Sequence, residues 1–387
     1  MSLERFQKLE DYPEDPIFSV YRKFEEDERK EKVNLGIGVI TNEEGELYAF
    51  KCFENLLLNK NNSYLPISGD NDLKKHFAKV FLPFVPAGQV VSVQTVGGTY
   101  ANYLSAKLLK KLGFGKIYFP KPTWSNHLSL FKEGGLAVEQ LEYYDDDVKK
   151  ISENFLLEVK NLPENSILAL DVCGHNPTGV DLNSAELEEV IKIGKEKKLV
   201  YFLDAAYVGL VGESIEDDMT MVKKIYESGN PILLSFSFSK NMSLYGHRLG
   251  ILSVMNFGGA GERIKSNLDY LVRSSISSAS RFASDFVCQV LSDEKILNLW
   301  QEELLRIRNY LLKMRKEFSQ KLQAQGIDWG REVQNQNGLF SLLPELKTEE
   351  LQKNFGIYIP PNGRVNVSGL KESNLDVVVK AIVESSL

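Results

Sequence analysis

The chain has 387 residues, 43% of them hydrophobic and 26% charged, with a formal net charge of −7 at neutral pH. That length supports a large buried core and two domains rather than one. The acidic balance, without any basic stripe, argues against a nucleic-acid partner but leaves room for a small anion held by a local arginine cluster.

The first residues, MSLERFQKLEDYPEDPIF, are charged and lack the apolar stretch of a secretion signal, and no later apolar run reaches membrane-spanning length. Cys52, Cys173 and Cys288 are too scattered for a zinc site or a disulfide framework, and reduced thiols in a cytoplasmic protein are expected. Residues 1–45 read as an arm, a short polar helix and part of a small domain. Within them KFEEDERKEK (23–32) is a solvated charge run. VNLGIGVI (33–40) is strand-like, and its Gly36 and Gly38 lack the third glycine of a dinucleotide fingerprint.

From about residue 90 to 255 short apolar runs alternate with helical stretches. Strands are predicted at 90–95, 116–119, 166–172, 199–203, 232–237 and 249–255. Helices are predicted at 101–113 and at 183–198, the latter capped by Asn183 or Ser184. Near-continuous apolar strands alternating with helices indicate an α/β fold with a mostly parallel sheet covered by helices on both faces. A long helix follows at 296–325. Short strands in GLFSLLP and GRVNVSGL and a closing helix at 371–387 form a smaller α+β domain. The expected division is 1–45, 46–300 (large domain) and 301–387 (small domain).

Ligands in such folds sit beyond the carboxyl ends of the strands, so the residues there carry the chemistry. After the first strand come Gly97, Gly98 and Thr99 at a helix start, where backbone N–H groups favour an anion. The second strand leads to PKPTWSNH. Trp124 either stacks on a planar ligand or simply packs, and His127 either orients a neighbour or satisfies a loop carbonyl. The third leads to HNPTG, where Asn176 offers an amide and the bond to Pro177 is a candidate cis peptide. The fourth ends in Asp204, followed by Tyr207. An aspartate ending a buried apolar strand needs a cation or donors. The fifth delivers Lys240, a lysine in a dry place whose neutral amine suits it to bond a carbonyl carbon. Arg248 follows, shaped for phosphate. Together these groups match what pyridoxal 5'-phosphate requires.

The motifs VNLGIGV, YLPISG, VQTVGGT, PKPTWSNH, HNPTGVD, DAAYVG, SFSKNMSLYGHRLG and GRVNVSGL, in this order, resemble the aspartate aminotransferase family, the aspartate/aromatic branch of class I, fold type I pyridoxal-phosphate enzymes. The resemblance implies that Lys240 bonds the cofactor aldehyde and shuttles a proton, and that Asp204 partners the ring nitrogen. It implies that Tyr207 and Asn176 bond the phenolic oxygen and Trp124 stacks on the ring. Gly98, Thr99, Ser237 and Arg248 would hold the phosphate, with Tyr64 reaching the site of a neighbouring subunit in a homodimer with shared active sites. Arg364 would clamp the substrate α-carboxylate beside Gly38. Arg273 would cross the interface to a side-chain carboxylate. Trp124 and Asn176 also border the substrate.

The chain departs from that pattern at Gly97, where the family usually has serine, and at Tyr100, where it usually has glycine. It departs again at Gly246-His247, and around Ser278, where the usual Ser-Asn and paired prolines are missing. The expected reaction moves an amino group between aspartate or glutamate and 2-oxoglutarate or oxaloacetate by ping-pong kinetics. The alternatives are an aromatic-amino-acid aminotransferase, then a pyridoxal-phosphate lyase or decarboxylase, and a non-catalytic sensor that binds the cofactor. No metal is expected.

Overall fold

The computed structural model describes residues 3–57, 61 and 63–386, so the extreme ends of the expected arm and closing helix fall outside the described residues. Its centre is a seven-stranded sheet. In chain order the strands are β1 (Val90–Thr95), β2 (Lys116–Lys121), β3 (Ala137–Glu142), β4 (Ile167–Asp171), β5 (Val200–Ala205), β6 (Ile232–Ser237) and β7 (Gly250–Met255). Across the sheet the order is β1-β7-β6-β5-β4-β2-β3. All neighbours are parallel except β7, which runs antiparallel to both β1 and β6.

The central strands β4, β5, β6 and β7 are largely apolar because both faces are covered. Along β5, Tyr201 and Leu203 point into one core and Phe202 into the other. The period of two that usually separates core from solvent here separates two cores. One core is roofed by helix α1 (Gly97–Lys111), through Leu104 and Leu108, together with Phe131. The other holds Phe77, Phe81 and Trp300, with Phe81 and Phe236 ring centroids 4.5 Å apart. The predicted helix at 183–198 spans Ser184–Glu196, and Asn183 caps it in a full capping box with Glu186.

Strand β3 was not among the predicted strands. Its sequence, AVEQLE, lies on the sheet edge and is mostly exposed, so it lacks the apolar run that marks the others.

A second body surrounds the long helix Glu294–Ala324, which runs through residue 300. Phe340–Leu342 pairs antiparallel with Arg364–Asn366. Val33–Asn34, from the start of the chain, pairs in parallel with Ile357–Tyr358. The loop after Asn34 is strapped down by Asn366, whose Nδ2 donates to the carbonyls of Ile37 and Val39, both at 2.7 Å. These contacts bring Gly38 and Arg364 to the carboxyl edge of the large sheet. The helix Pro16–Glu26, capped by Asp15, sets Ile17 and Phe18 over the same edge. No helix among the described residues is long and apolar enough to cross a membrane.

Candidate active site

Six strands of the sheet run in one direction and end at one edge. The antiparallel β7 contributes its start, because Gly250 lies opposite both Thr95 and Ser237. Arg248 therefore arrives where β6 leaves off. A cavity of about 310 Å³ opens at this edge. Gly98, Thr99, Ser237, Lys240 and Arg248 line one part of it, Trp124, Asn176, Asp204 and Tyr207 another, and Gly38 and Arg364 its far side.

The first group forms an anion cradle. Helix α1 begins at Gly97 after Val96, which has no side chain to cap it, so the first N–H groups point outward unpaired by any cap. Arg248 donates from Nη1 to Ser239 Oγ at 3.3 Å and to the Tyr245 carbonyl at 3.1 Å. Among the described residues no carboxylate pairs with it, and burial lowers its pKa. Gly97 has φ of +77°, and a Cβ there would come within 2.5 Å of Arg248 Nη2. The departure from serine at this position thus has a local cause: the backbone is left-handed and the guanidinium lies against it.

Lys240 lies just beyond β6, and among the described residues its amine has neither a hydrogen-bond nor an ion-pair partner. It sits 5.8 Å from the Tyr207 ring centroid and 5.9 Å from that of Tyr245. Burial pushes its pKa down to about 8, aided by the charges of Arg248 and Arg364 and opposed by Asp204. A lysine so placed has a far larger neutral fraction near neutral pH than an ordinary lysine.

Asp204 is buried and accepts two side-chain contacts on one oxygen. His127 Nε2 is 2.9 Å from Oδ2, and Asn102 Nδ2 donates to Oδ2 at 3.1 Å. His127 is held in turn by Thr123 Oγ1, 3.0 Å from Nδ1. Of the two roles open to His127, orienting a neighbour is the one its position fits. Tyr207 Oη accepts from Asn176 Nδ2 at 3.0 Å, and burial raises the pKa of the phenol. The Asn176–Pro177 bond is cis, as is Lys121–Pro122. Asp181 holds the Asn176 turn by accepting the N–H groups of Gly174 and His175 at 2.8 and 2.9 Å.

Arg364 is buried, with no carboxylate paired to it among the described residues. Nη1 donates to Asn176 Oδ1 at 3.1 Å and Nη2 to the Gly36 carbonyl at 2.9 Å, and its guanidinium lies 4.2 Å above the Phe340 ring. Nε has no partner. A buried cation without a counter-ion is costly unless a ligand carboxylate completes it.

Two predicted site residues lie elsewhere in the single chain. Tyr64 is 89% exposed and lines a separate cavity with Ser278 and Arg281. Arg273 is exposed in the last turn of the helix Gly261–Ser275 and donates to Ser277 Oγ. The bulk of Tyr100 is turned away from the cradle, with its hydroxyl against Ser275 Oγ. His247 stacks on Phe282 with ring centroids 5.5 Å apart.

Other residues of the cavity escaped the sequence reading. Asn102 is a polar residue on the sheet side of α1, Asp171 ends β4, and Ile17, Phe18, Ile37 and Val39 give the mouth an apolar wall. The strand expected at 166–172 ends at Asp171 in the structure, so that Asp171, like Asp204, lies at the end of an apolar strand.

An uncapped helix start beside a free guanidinium, an unpaired amine of lowered pKa and a doubly supported carboxylate fit a planar, phosphate-bearing aldehyde with a ring nitrogen. Fold and site together define a pyridoxal-phosphate-dependent enzyme of fold type I. The chain matches the family described as "Aminotransferase class I and II" over residues 30–382. It is 35% identical to the aromatic-amino-acid aminotransferase of Escherichia coli K12, covering 97% of this chain and 98% of that one. It is 36% identical to the aspartate aminotransferase of Pseudomonas aeruginosa, covering 98% and 99%. The crystal structure of the aromatic-amino-acid aminotransferase from Burkholderia pseudomallei, covalently bound to pyridoxal phosphate, superposes with a TM-score of 0.92 at 33% identity over 99% of both chains. This chain belongs to the class I and II aminotransferase family and is a pyridoxal-phosphate-dependent transaminase.

Proposed function

We propose that the enzyme moves the amino group between aspartate or glutamate and 2-oxoglutarate or oxaloacetate, with Lys240, Asp204 and Tyr207 as its catalytic residues. The observation that carries this reading is Arg364, a buried guanidinium facing the cavity of Lys240 without a carboxylate of its own. It would receive the substrate α-carboxylate in a bidentate pair, beside the Gly38 backbone. Pyridoxal phosphate, when bound, supplies the aldehyde that receives the amino group and a ring that withdraws electrons from Cα. The protein does the rest. The cradle of Gly98, Thr99, Ser237 and Arg248 holds the phosphate. Trp124 would lie against the ring, Asp204 would hold the proton on the ring nitrogen, and Tyr207 and Asn176 would bond the ring oxygen. The Lys240 amine takes the Cα proton and returns it.

The reading includes a cytoplasmic homodimer. Tyr64 and Arg273 are exposed in one chain and outside its cavity, which suits residues that serve a second copy: Tyr64 at the phosphate, Arg273 at a substrate side-chain carboxylate. It also includes the division into residues 1–45, 46–300 and 301–387.

A second reading, turnover of tyrosine or phenylalanine, is favoured by one feature. Ile17, Phe18, Ile37 and Val39 line the cavity mouth with apolar surface that suits a ring.

The test is a set of half-reactions. The cofactor-loaded enzyme is mixed singly with aspartate, glutamate, tyrosine and phenylalanine, without any 2-oxo acid, while visible absorbance and product acids are followed. Conversion by the dicarboxylates supports the first reading, and preferential conversion by the aromatics the second. Ammonia or carbon dioxide release without an acceptor would point to a lyase or decarboxylase. An unchanged spectrum with every amino acid would leave only a sensor.

A further inference from the structure

Asp171 and Asp204 are register partners on the adjacent parallel strands β4 and β5. Such partners project to the same side of a sheet, about 5 Å apart. Both line the cavity at the carboxyl edge. Two carboxyl groups this close in a dry site resist ionising together, because the second charge is opposed by the first and by burial. The geometry says which one keeps the charge. Asp204 has His127 Nε2 at 2.9 Å and receives Asn102 Nδ2 at 3.1 Å, and it interacts with the charge of Lys240. Among the described residues Asp171 has one backbone donor, the Asn176 N–H at 2.8 Å, and no ion-pair partner.

We propose that Asp171 is a positioning residue of the transamination site, a second carboxyl that carries the proton of the Asp171–Asp204 pair and so keeps the negative charge on Asp204, beneath the ring nitrogen. The inference rests on the reading of Asp204 as the ring-nitrogen partner. It gives Asp171 a task the reaction scheme leaves unassigned. A neutral Asp171 concentrates the charge on the one oxygen pair that His127 and Asn102 hold in place. An ionised Asp171 adds a second charge beside it and strengthens the hold on every proton nearby.

The titratable groups that interact with Asp171 are Asp204 and Tyr207 from β5 and the loop after it, His127 from the helix Ser125–Glu133, Asp181 and Cys173 from the turn beyond β4, and Tyr143 just after β3. Burial and the charge of Asp204 push the Asp171 pKa up to about 7, with His127 and the Asn176 N–H opposing. The sign is that of an acid raised. The proton is present below neutral pH and leaves as pH rises through that value.

The test uses cofactor-loaded enzyme and pH-difference infrared spectroscopy. Wild type should show a protonated-carboxyl band at acid pH that fades near neutrality, and Asp171→Asn should lack it. Asparagine keeps an oxygen for the Asn176 N–H and has no acidic proton, so a merely structural role would survive the change. In the same variant the midpoint of the visible-band pH titration should fall, because the second charge can no longer form, whereas in a purely structural role it should stay at the wild-type value. If wild type shows no such band, or the band and the midpoint are unchanged in Asp171→Asn, the proposal is overturned. The wild-type spectrum decides the matter even if the variant does not fold. Asp204→Ala tests the underlying reading separately. Retained transamination in that variant would overturn the role of Asp204 itself, whatever Asp171 does.

Discussion

Arg364 is tied to Asn176: its Nη1 donates to Asn176 Oδ1 at 3.1 Å, while Asn176 Nδ2 donates to Tyr207 Oη at 3.0 Å. One amide thus joins the guanidinium of the C-terminal region, proposed to bind the substrate carboxylate, to the Tyr207 hydroxyl of the large sheet, proposed to bond the ring oxygen. Both ends of that amide are used, and the amide orientation follows, since only its oxygen can face a guanidinium.

This arrangement predicts a split between two variants. Arg364→Ala removes the cation for the substrate carboxylate and should lower kcat/KM by about a hundredfold or more, the effect of losing a buried charged pair worth about 3 kcal/mol. Arg364→Lys should recover little, because a point charge cannot form two parallel hydrogen bonds. Asn176→Ala should alter both substrate affinity and the visible spectrum of the loaded enzyme, since it touches both sides. Steady-state kinetics and absorbance on the three variants check this.

Gly97 gives a prediction about cofactor affinity. Its φ of +77° disfavours any side chain, and a Cβ would press within 2.5 Å of Arg248 Nη2. Gly97→Ala should displace the guanidinium from the cradle and weaken pyridoxal phosphate binding about tenfold or more, with a smaller effect on substrate affinity once the cofactor is bound. Equilibrium dialysis of the cofactor, followed by kinetics at saturating cofactor, separates the two effects.

Much of this site can be read from the sequence because the sheet reports its own edge. Apolar runs at 90–95 and 232–237 coincide with β1 and β6, and the polar residues after them fall into the cavity. Other features depend on neighbours distant in sequence. Helix α1 starts at Gly97, four residues before the predicted start, because tertiary packing overrides the poor helix propensity of two glycines. The direction of β7 has a trace in the sequence, since the 12-residue link from Ser237 to Gly250 carries no crossover helix. Asn102 has none, because its role comes from which strand α1 crosses. Asp171 falls inside the strand expected at 166–172, while Asp204 follows the one expected at 199–203, so Asp171 stands out only when the two prove to be register partners.

Lys240 predicts a pH dependence for cofactor loading. With its pKa lowered to about 8, the neutral amine that attacks an aldehyde grows as pH rises through that value and levels off above it. Loading of cofactor-free protein should therefore accelerate about tenfold per pH unit well below pH 8 and then flatten. An ordinary lysine would keep accelerating for two further units. Stopped-flow absorbance gives the profile, and borohydride reduction with peptide mass spectrometry should place the adduct on Lys240. In Lys240→Ala the adduct should be absent and the phosphate site should still bind cofactor without a covalent link.

His175 predicts the acid limit of stability. It is 1% exposed, its Nδ1 lies 2.7 Å from Thr178 Oγ1, and Nε2 has no partner. Burial, with a smaller contribution from His127, lowers its pKa to about 3. The unfolded chain takes up a proton on this residue near its ordinary value of 6.5 while the folded chain does not. Stability is full above that value and is lost as pH falls from there toward 3. At pH 5 the loss from this residue alone should be about 2 kcal/mol relative to pH 7.5. His175→Gln, which cannot take up the proton, should be less stable than wild type at pH 7.5 but lose less between the two pH values. Urea unfolding of both proteins at both pH values measures the difference, and an equal loss in both would remove His175 from the account of acid sensitivity.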